Sequence, residues 1–301
     1  MVMVLKWSGI VRGAVLLIAA SLGIAGCSTV GDLLPGKARV LPLTPIHDRP
    51  TGVQRPGSFV WHDLLTTDPA ASKAFYGGLF GWRFEERDGY TEIRNGRHKI
   101  GGMVEMKPPE EGRPPAIWLP SLSVPDPDRA AAYVREAGGR VIGGPVEMPG
   151  RGRGALIADP RGALLVLLRA AGGDPPARKA AIGDWLWNET WTRRPAATLR
   201  FYMGLGGYDS SIDGDGYAVL VRDGTWQAGI RQVEADEHPV QWLPVVRVED
   251  PGALLQRVEQ LGGEVWVRPG EYDNDDAALV ADDQGALLIL QRWNRPGGER
   301  Q

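Results

Sequence analysis

The chain has 301 residues, 43% of them hydrophobic and 24% charged, with a formal net charge of −3. That is enough material for two ordinary globular domains, and it excludes a disordered or fibrous chain. No basic patch is dense enough to follow a phosphate backbone, so nucleic acid is not an expected partner. The single cysteine, Cys27, excludes an internal disulfide framework and a cysteine-rich metal site.

Met1 to Gly26 carries Lys6 and Arg12 without an acid, an apolar stretch from Gly13 to Ile24, and small residues before a cleavage point. This is the layout of a secretory signal, and twelve apolar residues are too few to span a bilayer comfortably. Ile24-Ala25-Gly26-Cys27 is similar to the bacterial lipobox, with Ile where Leu is commonest. The resemblance implies lipid attachment to Cys27 and cleavage before it; a plain signal with an incidental cysteine is the alternative. Cleavage removes Lys6 and Arg12 and leaves a net charge of −5. The expected address is therefore the cell envelope, with export and anchoring to the membrane through the N-terminal lipid. Ser28 after the cysteine resembles sorting signals compatible with the periplasmic face of the outer membrane. Residues 27–57, with Pro35, Pro42, Pro45, Pro50 and Pro56 and no apolar period, read as a flexible tether.

Beyond the tether the sequence repeats itself. Trp61, Pro69, Phe75-Tyr76 and Gly81-Trp82 return as Trp187, Pro195, Phe201-Tyr202 and Gly207-Tyr208 at an offset of 126. Trp118 and Gly138-Gly139 return as Trp242 and Gly262-Gly263 at 124, and Asp159 with Gly162-Ala163 as Asp282 with Gly285-Ala286 at 123. A slow drift of offset is the mark of two homologous domains that differ by small loop changes. They span 58–170 and 182–294, joined by a linker at 171–181 containing Gly172-Gly173-Asp174-Pro175-Pro176; 295–301 reads as a disordered tail.

Each copy holds a strand, a helix and three strands, twice over. Phe59 to Leu65 alternates as a strand, Asp68-Pro69 starts a helix over Ala70 to Leu79, and Gly81 stops it. Trp82 to Glu86, Tyr90 to Arg94 and Lys99 to Met106 follow as strands. Ile117 to Val124 opens the second half, Asp126-Pro127 starts a helix closed by Gly138-Gly139, and Arg140 to Glu147, Gly154 to Ala158 and Ala163 to Arg169 are strands. The unit is βαβββ, present four times.

Phe75-Tyr76-Gly77-Gly78-Leu79-Phe80-Gly81-Trp82, Ala137-Gly138-Gly139 with Val141, and Asp159-Pro160-Arg161-Gly162-Ala163, in order and twice, resemble the vicinal oxygen chelate family, also called glyoxalase/bleomycin resistance/dioxygenase. The resemblance covers Phe59 to Trp293. It implies an α+β fold: two tandem domains, each of paired βαβββ modules forming a curved, mostly antiparallel sheet with helices on its convex side. It also implies that the two domains pair within the chain. Metal-dependent members hold a divalent ion with His and Glu from four strands. The matching positions here are Trp61 and Trp187, Trp118 or Leu119 and Trp242 or Leu243, Val166 and Ile289, with Glu105 alone as a donor. The expectation is no metal and no cofactor. His62, one residue from the first position, falls on the opposite face of its strand.

Alternation puts Phe59, Trp61, Asp63 and Leu65 on one face, and Trp185, Trp187, Glu189 and Trp191 on its equivalent, which by the family comparison is concave. The candidate ligand-binding residues are Trp61, Asp63, Trp118, Trp187, Glu189, Trp191 and Trp242, aromatic walls with one acid each, suited to a small apolar or cationic organic ligand. The alternative is that these tryptophans fill the core while Asp63 and Glu189 pair with arginines. The expected function is a lipid-anchored envelope protein that binds a small organic ligand. A glyoxalase-type lyase, isomerase or dioxygenase with unusual ligands around His62 and Glu105, and a structural or partner-binding scaffold, are the alternatives. No catalytic residue is assigned. Arg151-Gly152-Arg153 reads as a solvated hairpin, and Asp273 to Asp276 as a solvated tip.

Overall fold

Among the described residues, three of the four helices start at Asp-Pro. The aspartate occupies the N-cap and accepts first-turn N–H groups, while proline, whose missing N–H costs nothing there, occupies the first helical position. In the computed structural model, which describes residues 43–107, 115–213, 216–233, 240–271 and 276–293, these signals fall inside two copies of one arrangement. The first runs β1 (Phe59–Thr66), α1 (Pro69–Phe80), β2 (Arg83–Arg87), β3 (Tyr90–Asn95), β4 (His98–Glu105), β5 (Ala116–Ser123), α2 (Pro127–Glu136), β6 (Arg140–Met148), β7 (Gly152–Ala158) and β8 (Leu164–Ala170). The second runs β9 (Trp185–Thr192), α3 (Pro195–Gly206), β10 (Asp209–Asp213), β11 (Tyr217–Arg222), β12 (Thr225–Gln232), β13 (Trp242–Val248), α4 (Pro251–Gln260), β14 (Glu264–Val267), β15 (Ala277–Ala281) and β16 (Leu287–Arg292). The signal at 1–26, Cys27, the tether up to residue 42, Asp273 to Asp275 and the tail at 295–301 lie outside the described residues.

Each copy forms one eight-stranded sheet, in the orders β2-β3-β4-β1-β5-β8-β7-β6 and β10-β11-β12-β9-β13-β16-β15-β14. The central pairs β1/β5 and β9/β13 are antiparallel, and each βαβββ module closes with a parallel pair such as β1/β4 or β5/β8. This is the expected α+β fold of tandem paired modules.

The two faces of each sheet are buried in different ways. On one face lie the helices, and there the domains meet. Leu64, Phe75, Tyr76, Trp82 and Trp118 of the first share a buried cluster with Val246, Leu255, Val258 and Leu288 of the second. A second shared cluster joins Leu122, Val134, Ile157 and Leu165 to Phe201, Tyr202, Leu220 and Trp242. At the centre His62 of β1 and its repeat counterpart Asn188 of β9 bond to each other, His62 Nε2 to Asn188 Oδ1 at 2.9 Å. The opposite faces carry separate clusters, one per domain.

Part of the segment read as a flexible tether is docked. Ile46 is 1% exposed inside the first domain's own cluster, with Leu43 packed beside it. Arg151 Nε donates to Thr44 O at 2.9 Å, Lys99 Nζ to Pro45 O at 3.1 Å, and His47 Nε2 meets Ala171 O at 2.8 Å. Further on, Asp174 of the linker accepts from Arg55 N and Ser123 Oγ at 2.6 Å each. A proline-rich segment with no apolar period gives no helix or strand signal, yet it can dock because its carbonyls accept hydrogen bonds from side chains of the domain.

Candidate functional site

The register fixes which residues share each concave face. In the first domain the rows are Gly102–Asp63–Leu119 and Trp61–Ser121–Val166. In the second they are Gly229–Glu189–Leu243 and Trp187–Val245–Ile289. Of the sequence candidates, Trp61 and Asp63 come together on one concave face, and Trp187, Glu189 and Trp191 on the other.

Trp118 and Trp242 do not join them. Trp118 pairs with Leu64 and Trp242 with Thr190, one residue out of phase with the acids, so both rings turn to the helix side. There Trp118 Nε1 donates to Tyr76 OH at 2.8 Å and Trp242 Nε1 to Tyr202 OH at 2.9 Å, inside the shared clusters. Phe59 and Trp185 also leave the expected face. A register shift between Phe59 and Trp61, and another at the partners of Trp187 and Trp185, break the alternation. Phe59 then packs 4.9 Å from Trp242, and Trp185 lies 4.4 Å from the His62 ring.

Each concave face is organised around its carboxylate. Asp63 Oδ1 accepts from Tyr90 OH at 2.6 Å and Trp61 Nε1 at 3.0 Å, and Asp63 Oδ2 from Arg151 Nη1 at 3.0 Å. Glu189 Oε1 accepts from Trp191 Nε1 at 2.6 Å and Arg231 Nε at 2.9 Å, and Oε2 from Tyr217 OH at 2.8 Å. Both carboxylates therefore pair with arginine, the alternative reading of the sequence, and neither offers a naked charge to a cationic ligand. Burial pushes the Tyr90 and Tyr217 phenols well above their usual pKa, so both stay protonated donors. Each tyrosine crosses the strand carrying a glycine beside the acid: a Cβ on Gly102 would overlap the Tyr90 hydroxyl, and one on Gly229 the Tyr217 hydroxyl.

Tyr90, Tyr217, Gly102, Gly229 and Arg231 were not singled out by the sequence, in which Arg151 reads with Gly152 and Arg153 as a solvated hairpin in preference to a group facing a ligand anion. Four of them carried a usable signal, since Tyr90 and Gly102 return as Tyr217 and Gly229 at a common offset of 127. The arginines carried none. Arg151 comes from the β6–β7 hairpin and Arg231 from β12, so the same charge arrives from opposite sides of the two sheets. Arg151, expected on a solvated hairpin, is 2% exposed, lying 5.2 Å from the Trp61 ring and 5.4 Å from the Tyr90 ring.

The faces differ in what covers them. Residues 43–47 lie over Arg151 and leave it 2% exposed. Over Glu189 a small cleft of about 30 Å³ remains, lined by Trp191, Arg231, Val267, Leu279, Ile289 and Gln291. Beside it Trp187 packs against Trp226 and Trp293 at 6.0 and 5.2 Å, and its buried indole N–H has no acceptor, unlike that of its counterpart Trp61.

The residues on the concave rows do not fit the divalent ion that the fold brings to mind. The second domain supplies one carboxylate there and the first supplies two, Asp63 and the buried Glu92 opposite Gly102; these are taken by arginine, tyrosine and tryptophan or, for Glu92, by Lys99 at 2.8 Å, and the neighbouring positions are Gly, Ser, Trp, Leu, Val and Ile. Among the described residues no three His, Cys, Asp or Glu side chains group as a metal site would require. Glu105 pairs with Thr66, on the phase opposite to Asp63, and is exposed. His62 points into the domain junction, where burial lowers its pKa to about 4 and holds the ring neutral, against the opposing pull of Asn188 and Asp63.

Comparison with known proteins places this geometry. The family model of the Glyoxalase/Bleomycin resistance protein/Dioxygenase superfamily matches residues 58–167. The anthracycline biosynthesis protein DnrV of Streptomyces peucetius is 30% identical over 258 residues, which cover 77% of this chain and 91% of DnrV. CFP32 of Mycobacterium tuberculosis (strain CDC 1551 / Oshkosh) is 29% identical over 248 residues, covering 78% of this chain and 95% of CFP32. Among solved structures, the Mn(II)-bound glyoxalase from Novosphingobium aromaticivorans superposes with a TM-score of 0.54 at 16% identity, over 80% of this chain and 83% of that one. The 2,2',3-trihydroxybiphenyl 1,2-dioxygenase from Sphingomonas wittichii strain RW1 gives 0.55 at 14% identity, over 79% and 91%. These two share the fold.

Proposed function

For a chain that belongs to the Glyoxalase/Bleomycin resistance protein/Dioxygenase superfamily, we propose binding of a flat, largely uncharged organic molecule in the second domain's concave cleft, without a metal ion. The observation that carries this reading is the contrast between two equivalent faces: the arginine of the acid, tyrosine and arginine arrangement lies buried under residues 43–47 in one domain and is 22% exposed beside a cleft in the other. A small slot with tryptophan on one side and aliphatic side chains on the other suits the edge of a planar ring system, which would stack on Trp191 as it enters. Gln291 on its wall suits a carbonyl or hydroxyl group on that ring. The Glu189–Arg231 pair is close to neutral, which argues against a strongly cationic ligand. The similarity to DnrV, a protein named for anthracycline biosynthesis, makes polycyclic aromatic compounds the first class to try.

The remainder of the proposal is the address: export, a lipid on Cys27, and attachment to the periplasmic face of the outer membrane. Residues 28–42 would separate that lipid from the docked segment, so the first domain would sit nearest the membrane and the second would present the cleft.

Tryptophan fluorescence titration with daunomycinone, the uncharged aglycone of an anthracycline, tests the binding. Saturable quenching is expected in the mature chain, lost in Trp191→Ala and retained in Trp61→Phe; no saturable quenching, or loss with Trp61→Phe alone, would refute it. Labelling with a radioactive fatty acid tests the address, with label expected on the wild type and none on Cys27→Ala.

A further inference from the structure

The two clusters that join the domains are related by the duplication, so the grooves flanking them start from the same design. They have diverged in charge and in size. In one groove Leu261 packs into the shared cluster, over Gly78. At its mouth Asp68 caps α1, and Gln284 lies 3.4 Å from Thr67 Oγ1. At the corresponding positions of the other groove the repeat places Ala137 for Leu261, Arg194 for Asp68 and Arg161 for Gln284, and Arg200 stands where α1 has Ala74. Ala137, where the twin has leucine, lines a cavity of about 350 Å³ between α2, the β7–β8 turn and α3, with Tyr133 on its wall.

The charge in this cavity is compensated only in part. Asp159 is the one acid on its wall: Oδ1 accepts the backbone N–H groups of Arg161, Gly162 and Ala163 at 2.9 Å, and Oδ2 accepts Tyr202 OH at 3.0 Å and lies 3.6 Å from Arg161 Nη2. Arg161 is held in place by Trp191 O and Thr190 Oγ1, both at 2.9 Å, with its Nε buried and without an acceptor. α3 starts at Arg194, and no side chain caps its first-turn N–H groups. The first-turn N–H groups of Ala197 and Thr198 bond back to Arg194 O at 3.1 Å, so what remains is three guanidinium groups with one acid around a space that the twin groove fills with a leucine.

We infer that this groove is a binding site for a small organic anion, a compact molecule carrying a phosphate or carboxylate group. Arg194 and Arg200 would take the anionic group by charge-assisted hydrogen bonds, the fixed Arg161 would orient it, and Tyr133 would cover its apolar part. The site lies on the helix side of the sheets and shares no lining residue with the proposed cleft over Glu189 except through the backbone of Trp191.

Calorimetric titration of the mature chain with phenyl phosphate, using phenol as the uncharged control, tests the site. One saturable equivalent of phenyl phosphate and none of phenol is expected. Affinity is expected to fall at least about tenfold in Arg194→Gln/Arg200→Gln, whose side chains are exposed and not part of the core. A similar loss is expected in Ala137→Leu, which restores the twin's leucine and leaves the charge unchanged. Trp191→Ala should leave this binding intact, so failure of the cleft and failure of the groove are told apart. No saturable heat, equal binding of phenol, unchanged affinity in both groove variants, or association only with phosphatidylglycerol vesicles would each overturn the inference.

Discussion

The concave faces of the two domains began as copies and now differ in the way that matters for binding. Both keep an acid on the first strand, a tyrosine reaching it across a glycine, and an arginine closing the network. In the first domain the arginine comes from the β6–β7 hairpin, is 2% exposed, and also holds the carbonyl of Thr44, so the N-terminal segment becomes part of the face. In the second it comes from β12, is 22% exposed, and leaves the cleft open. A conserved polar network can therefore serve as the floor of a core in one copy and as the floor of a pocket in the other. The source of a single arginine decides which.

Breaking the networks should give unequal costs. Removing one partner of a buried ion pair strands the other, so Arg151→Met is expected to cost about 3–5 kcal/mol. It should also make residues 43–50 susceptible to limited proteolysis. Arg231 is 22% exposed, so in Arg231→Met water can take its place beside Glu189, and the expected cost is about 1–2 kcal/mol. Chemical denaturation of both variants checks the difference; equal costs would mean that the two faces are equally closed.

The junction between the domains gives the next effect. His62 is held neutral with a pKa of about 4 against an ordinary value near 6.5. Between those values the unfolded chain takes up a proton that the folded chain refuses, so stability falls as pH drops from about 6.5 to 4, by up to about 3 kcal/mol. Asp282, raised to about 6 chiefly by burial, works the other way, because the folded chain holds a proton there that the unfolded one has lost. The difference between wild type and His62→Asn isolates the histidine. His62→Asn copies the twin residue Asn188 and is expected to flatten the acid side of the stability curve.

The glycines beside the acids give the smallest contrast. A methyl group at either position collides with a tyrosine hydroxyl. In the packed first domain Gly102→Ala is expected to cost about 2 kcal/mol, and in the second, where Tyr217 can move toward the cleft, Gly229→Ala about 1 kcal/mol. Thermal melts of the two variants check the order.

Most of the fold was legible because the chain states it twice. Asp68-Pro69, Asp126-Pro127 and Asp250-Pro251 mark helix starts by a local mechanism, and α3 forms from Arg194-Pro195 without an acidic cap because tertiary burial of Leu199, Phe201 and Tyr202 supplies what the cap does not. The site was legible only in part. Period-two alternation identified Trp61, Asp63, Trp187, Glu189 and Trp191 as facing together, then failed at Phe59 and Trp185, where a bulge adds a residue that sequence does not announce. Trp118 and Trp242 were assigned to the wrong face because tryptophan is equally at home in a pocket and in a domain junction, and only the register separates the two. The docking of residues 43–57 was invisible for another reason. It rests on main-chain carbonyls accepting from Arg151 and Lys99 and on single side chains such as Ile46, none of which leaves a period in the sequence.

The central claim is that the open face of the second domain, and not the sealed face of the first, receives the ligand. A crystal structure of the mature chain soaked with daunomycinone tests it most directly. The account expects the ring system against Trp191, Leu279 and Gln291, with Ile46 still seated over the Asp63–Arg151 pair. A ligand found on Asp63 and Arg151 in place of residues 43–47, with the second cleft empty, would contradict it.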